Sequence, residues 1–340
     1  MEKLLAHRMF STPECKANMR FTLLILLGLL LTSRLCLAMS PGFSLPFGQH
    51  ASIIPFTLYR NLIILHVVIN GTLNVNLILD SGGQSIVLFG DKFKDLQMKN
   101  RRGVRQVHGY NSNEAEVATL SYPNSVDLGT MHGEGLGLCI VTTRMLFPEC
   151  PKIDGWMGYD VFLRHFVEIN YKDQKLTFSD QLDEEYLSEF EAIPLDNDIT
   201  KPYIQSTLLV TKKNAQHPRL LIDTGSSLGL TLFSGNRKKY GLLCDAKEIA
   251  SGISGSIYGV NFLSRELRIG QLRIARPQTY VIDNNLREFC GSLGGEFLKK
   301  FIVIFDHASR RVLLKKQLKD KLTTYVNGKA ATILNNESTM

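Results

Sequence analysis

The chain has 340 residues, 44% of them hydrophobic, and a formal net charge of +7 at pH 7. That length admits one large two-lobed domain or two small ones, and 27 Gly with 11 Pro is ordinary for a globular protein, not a disordered or fibrous one. No dense basic run interleaved with aromatic residues accompanies the modest charge, which argues against nucleic acid as a partner.

Residues 21–31 are apolar apart from Thr22, with Arg20 before them and the small residues Cys36 and Ala38 after. The run is too short to span a bilayer and suits the core of a signal peptide covering residues 1–38. Met19 would begin a more ordinary signal peptide than Met1. The alternative is an uncleaved anchor. A cleaved signal implies a secreted or periplasmic chain with no stable membrane span left. Beyond it stand Cys139, Cys150, Cys244 and Cys290. An even number of cysteines in an exported chain suggests disulfides, here with several connectivities open. Cys139–Cys150 and Cys244–Cys290 would keep each bridge within one half; the alternative is buried free thiols. C-x-x-C spacing is missing, and His66, His108, His132 and His165 lack metal-ligand spacing, so no metal or cofactor is expected.

Residues 39–52 form a Pro/Gly/Ser-bearing lead-in. Ile54-Pro55-Phe56 and residues 62–69 read as strands, Asn70-Gly71 as a hairpin turn, and 73–79 as the return strand. That strand delivers Asp80 to the turn Ser81-Gly82-Gly83. Residues 85–89 are strand again, 91–105 are polar and basic, and a Gly-containing turn carries Tyr110. Further strands surround Leu128 and Ile140. Trp156-Met157-Gly158 leads into a short helix, and a hairpin over 166–178 closes the segment.

After an acidic linker, 181–200, the same order recurs. The strand 220–222 delivers Asp223 to Thr224-Gly225-Ser226, a strand follows at 228–233, and a second Gly-rich turn carries Tyr258. Ser292-Leu293-Gly294 corresponds to Trp156-Met157-Gly158, and a closing hairpin lies over 301–314. The expected lobes are 54–180 and 201–317, with a loose tail at 318–340.

In both halves an apolar strand brings an aspartate to a tight turn where a glycine permits close approach. Two such carboxylates about 3 Å apart cannot both ionise; they share one proton and act together as acid and base. On these motifs the chain resembles the two-repeat retropepsin-like aspartyl proteases, distant relatives of the pepsins. The resemblance covers about residues 54–316. It implies an all-β chain with short helices in a bilobal, pepsin-like or duplicated retropepsin-like acid protease fold.

It further implies an aspartic endopeptidase in which a water held between Asp80 and Asp223 attacks a peptide carbonyl. Ser81 and Thr224 would hydrogen-bond between the loops, and amides near Gly82 and Gly225 would point at the carboxylates. Ser226 keeps the pepsins' hydroxyl beside the outer carboxylate oxygen; Gly83 lacks it. Tyr110 and Tyr258 are flap candidates. The substrate would be an extended peptide or unfolded protein, and one chain would suffice for one site. Two other readings stand beside it. Gly83 favours a weakly active or inactive protease-like peptide-binding protein. Residues 225–229 fit the G-x-S-x-G elbow of serine hydrolases, which needs a helix straight after the serine.

Overall fold

The computed structural model describes residues 42–99, 101–108, 115–142, 152–196, 201–234, 237–242, 245–252, 255–283, 290–317, 322–326 and 329–333. Alternation of apolar residues builds the first sheet. Along the strand Leu62–Ile69, the side chains of Ile63, Leu65, Val67 and Ile69 are fully buried on one face. Asn70 and Gly71 then turn the chain with φ of 50° and 71°, the left-handed pair a tight hairpin requires. Leu73–Leu79 returns antiparallel with Val75, Leu77 and Leu79 on the same buried face.

The short strand Gly155–Met157 lies parallel to Leu73–Leu79 and antiparallel to Ile86–Phe89. The second half repeats this arrangement. Cys290–Leu293 lies parallel to Arg219–Ile222 and antiparallel to Leu230–Ser234. Each half also carries a long hairpin: Arg101–His108 with Ala115–Leu128 in the first, and Lys247–Gly252 with Gly255–Leu263 in the second.

A third sheet joins the halves. Its strands run in the order Glu191–Pro194, Arg311–Lys316, Phe301–Asp306, Phe166–Asn170, Lys175–Ser179 and Ala51–Pro55. The closing hairpins meet at its centre, where Val167 faces Phe305 and Asn170 faces Ile302. One hydrophobic core runs through both halves, taking in Leu65, Leu79 and Phe162 with Ile222, Leu293 and Phe305. The Phe162 and Phe305 rings stand 4.5 Å apart between centroids.

Several expectations need amending. The linker expected at 181–200 contains a helical turn, Glu184–Leu187, capped by the Asp183 carboxylate, and the edge strand Glu191–Pro194. The basic stretch becomes a helix, Lys94–Lys99, followed by the strand Arg101–His108. In the tail, Leu322–Val326 pairs antiparallel with Lys329–Ile333; Asn327-Gly328 between them is the dipeptide that favours such a turn. The disulfides are corrected: Cys139 and Cys290 are free thiols. Cys139 points into an apolar cluster with Val87, Phe89, Val107, Ala118 and Val141, and burial pushes its thiol pKa up. Their expected partners, Cys150 and Cys244, lie outside the described residues, as do the signal segment 1–38 and Tyr110.

Candidate active site

Both aspartates stand at the ends of buried strands. The Asp80 backbone N–H donates to the Met157 carbonyl at 2.8 Å, and the Asp223 N–H donates to the Leu293 carbonyl at 3.0 Å. In each half, therefore, the strand preceding the glycine of Trp156-Met157-Gly158 or Ser292-Leu293-Gly294 fixes the backbone that bears the carboxylate. The glycines let these segments close. A β-carbon on Gly158 would come within 2.5 Å of the Ser85 nitrogen, and one on Gly294 within 2.3 Å of the Leu228 carbonyl oxygen.

Ser81 and Thr224 lock the loops together. The Ser81 N–H donates to Thr224 Oγ1 at 2.9 Å. The Thr224 N–H donates to Ser81 Oγ at 3.0 Å. The Ser81 hydroxyl donates to the Ile222 carbonyl at 2.6 Å, and the Thr224 hydroxyl to the Leu79 carbonyl at 2.7 Å. Both side chains are fully buried, so each hydroxyl spends its donor and an acceptor site on the opposite half.

This lock sets each carboxylate against the other loop. A β-carbon on Gly225 would lie 2.4 Å from Asp80 Oδ1, and one on Gly82 would lie 3.0 Å from Asp223 Oδ1. Only glycine lets the chains approach this closely. Asp80 Oδ1 accepts from the Gly82 and Gly83 N–H groups, each at 2.9 Å. Asp223 Oδ1 accepts from the Gly225 N–H at 3.1 Å.

Asp223 is 3% exposed, whereas Asp80 as a residue is half-buried, its carboxyl reaching deep into the packing. Burial pushes the Asp80 pKa up to about 7, and the Asp223 charge adds to the rise. The Gly82 and Gly83 amides and the Lys201 ammonium act in the opposite direction without cancelling it.

The other expected residues are placed as follows. Ser226 is buried beside Asp223, its Oγ accepting from the Leu228 N–H at 3.4 Å. Tyr258 lies on the second hairpin opposite Glu248 and is 55% exposed. After Ser227 the chain enters the strand Leu230–Ser234 rather than a helix, which removes the nucleophile-elbow reading. Among the described residues no group of His, Cys, Asp and Glu could hold a metal ion.

Three neighbours of the loops were not expected there from the sequence, although Trp156 belongs to a recognised motif. Lys201 acts electrostatically on Asp80 from the second half. Tyr171 is buried with no hydrogen-bond partner for its hydroxyl among the described residues, and burial and the Asp223 charge push its pKa above the usual range. Trp156 flanks Gly83. Beyond the first loop a cavity of about 500 Å³ is lined by Gln84, Ser85, Arg105, Tyr122, Tyr159 and Asp160 among others.

No protein-family model matches the chain, and no curated protein sequence does. Among solved structures the chain is similar to the crystal structure of an aspartic proteinase from Irpex lacteus, with a TM-score of 0.55 and 14% sequence identity over 78% of this chain and 97% of that one. With its β-sheets and this similarity, the chain has a bilobal, all-β, pepsin-like fold.

Proposed function

We propose that the chain is an aspartic-type endopeptidase that hydrolyses peptide bonds by activating a water between Asp80 and Asp223. The observation that carries this reading is the reciprocal bonding of Ser81 and Thr224, which sets each carboxylate against the glycine of the opposite loop. A carboxyl that keeps its proton to about pH 7 beside a second carboxylate is suited to the task. One member takes the proton of the attacking water, and the other protonates the carbonyl oxygen. The two ionisations belong to the pair.

The substrate on this reading is an extended peptide or unfolded protein, gripped through its backbone and selected through alternate side chains. The hairpins Arg101–His108/Ala115–Leu128 and Lys247–Gly252/Gly255–Leu263 are its proposed covers. The lobes 54–180 and 201–317 each supply one aspartate, so one chain makes one site. The apolar segment 21–31 supports export to a secreted or periplasmic location.

The test is cleavage of an unfolded protein between about pH 3 and 7 and its block by a statine-type transition-state mimic. Asp80→Asn and Asp223→Asn should each lower the rate by about 10³-fold or more. Co-expressing the two variants should not restore activity; recovery would mean a site shared between chains. The second reading, a peptide-binding protein without activity, is favoured by Gly83, which leaves the outer oxygen of Asp80 without a neighbouring hydroxyl. Peptide binding without cleavage, unchanged by either substitution, would select it.

A further inference from the structure

Gly83 has no conformational need to be glycine, because its φ lies outside the left-handed region. Space explains it. A β-carbon there would lie 2.8 Å from Asp80 Oδ2 and 3.1 Å from the indole Nε1 of Trp156. The outer oxygen of Asp80 and the indole N–H thus border the same gap. Trp156 is held there by its strand, paired with Ile78 on one side and Val87 on the other. Its ring packs on Phe89 at 5.1 Å between centroids.

The second half makes the opposite choice. Ser226 supplies a side chain where Gly83 has none, each three residues after its aspartate, and the small Ser292 stands where Trp156 does, aligned by the same strand pairings. A bulky donor facing a glycine in one half replaces two serines in the other. Asp80 Oδ1 already accepts two amide hydrogens, whereas Oδ2 accepts none among the described residues. The indole N–H likewise has no partner among the described residues, and an indole nitrogen can only donate.

We propose that Trp156 is a positioning residue whose indole N–H serves the outer oxygen of Asp80 across the gap left by Gly83. The contact is direct after a small ring movement or passes through one water. It holds the Asp80 carboxylate in plane and stabilises its anion, which makes the two aspartates unequal. The role of this contact in hydrolysis rests on the endopeptidase reading; the contact itself does not.

Trp156 is the only tryptophan in the chain, so its emission reports on this contact without any substrate. Wild-type emission should change sigmoidally with pH between about 3 and 8, as the neighbouring carboxyl ionises. The change should vanish in Asp80→Asn and survive in Asp160→Asn. A flat wild-type signal, or one that persists in Asp80→Asn, overturns the proposal. This result is readable even if the protein cleaves nothing, which separates it from failure of the endopeptidase reading.

In an active enzyme Trp156→Phe should shift the pH–rate profile upward by about one pH unit, because a donor to the anion is lost. It should also lower kcat about tenfold with little change in KM. Trp156→Gln, which keeps an N–H donor on a flexible side chain, should hold the profile closer to wild type than Trp156→Phe does. Gly83→Ser should be impaired, because its β-carbon would press on Asp80 Oδ2 at 2.8 Å as well as on the indole. An unchanged profile in a folded Trp156→Phe protein, or equal shifts in Trp156→Phe and Trp156→Gln, would leave Trp156 a packing residue only.

Discussion

In the folded chain Asp80 retains its proton to about pH 7, against a model-peptide value of 3.8, chiefly because burial penalises the anion. The folded-state value is the higher one. The stability contribution is therefore fully present below about pH 4 and is lost as pH rises through 7. Asp80→Asn should abolish that dependence. In urea titrations the variant should match wild type near pH 3.5 and exceed it at pH 8 by on the order of 2–4 kcal/mol. Parallel curves at every pH would mean that the carboxyl is solvated in solution. Thr224→Val keeps shape but removes the hydroxyl that accepts from Ser81 and donates to Leu79. It leaves a buried N–H and a buried carbonyl unpaired, so thermal unfolding should show a loss of about 1–3 kcal/mol. Both loops were legible in the sequence because their signals are local: an apolar run, an acid, a hydroxyl residue and a glycine. Trp156 beside Gly83 was not, since residues so far apart in sequence meet only through strand pairing. The expected disulfides failed for a related reason. Cysteine number suggested bridges, but the face of the strand Met131–Val141 on which Cys139 lies is turned into an apolar cluster.

At the scale of elements, the crossing of short strands behind each loop depends on backbone proximity. The most crowded point is Gly155, where a β-carbon would lie 1.8 Å from the Val87 carbonyl oxygen. Gly155→Ala must push apart the strands Gly155–Met157 and Ile86–Phe89 and should cost about 3 kcal/mol or more, with loss of any activity. Gly137 offers the contrast. Its β-carbon would make only an ordinary contact, 3.4 Å from the Leu120 side chain, so Gly137→Ala should change stability by less than about 1 kcal/mol. Similar melting temperatures for the two variants would refute the packing seen here. Strands with strict alternation, such as Leu62–Ile69, could be read directly. Arg101–His108 could not, because Arg101, Arg102, Arg105 and Gln106 are all exposed and Val104 is 60% exposed, so no period of two appears. The tail hairpin had its turn dipeptide in view, but its flanking residues lack an apolar face.

For the molecule as a whole, the shared sheet decides how the halves behave. Its central pairing, Val167 with Phe305, is invisible to any local pattern, although both closing hairpins were recognisable individually. Because the core is continuous, denaturation should be a single transition. Phe305→Ala removes a ring that packs on Phe162 and should cost about 3–5 kcal/mol. The emission of Trp156 in the other half should register the full shift. If the tryptophan transition stays in place while circular dichroism moves, the halves unfold separately.

A pair of identical chains meeting at a twofold axis must offer any peptide the same surface in both directions. Here the crosswise bonds of Ser81 and Thr224 preserve that symmetry at the centre, while fusion into one polypeptide allows the flanks to differ: Gly83 and Trp156 on one side, Ser226 and Ser292 on the other. On the endopeptidase reading the site consequently has a head and a tail, and a peptide bound there would have one preferred polarity.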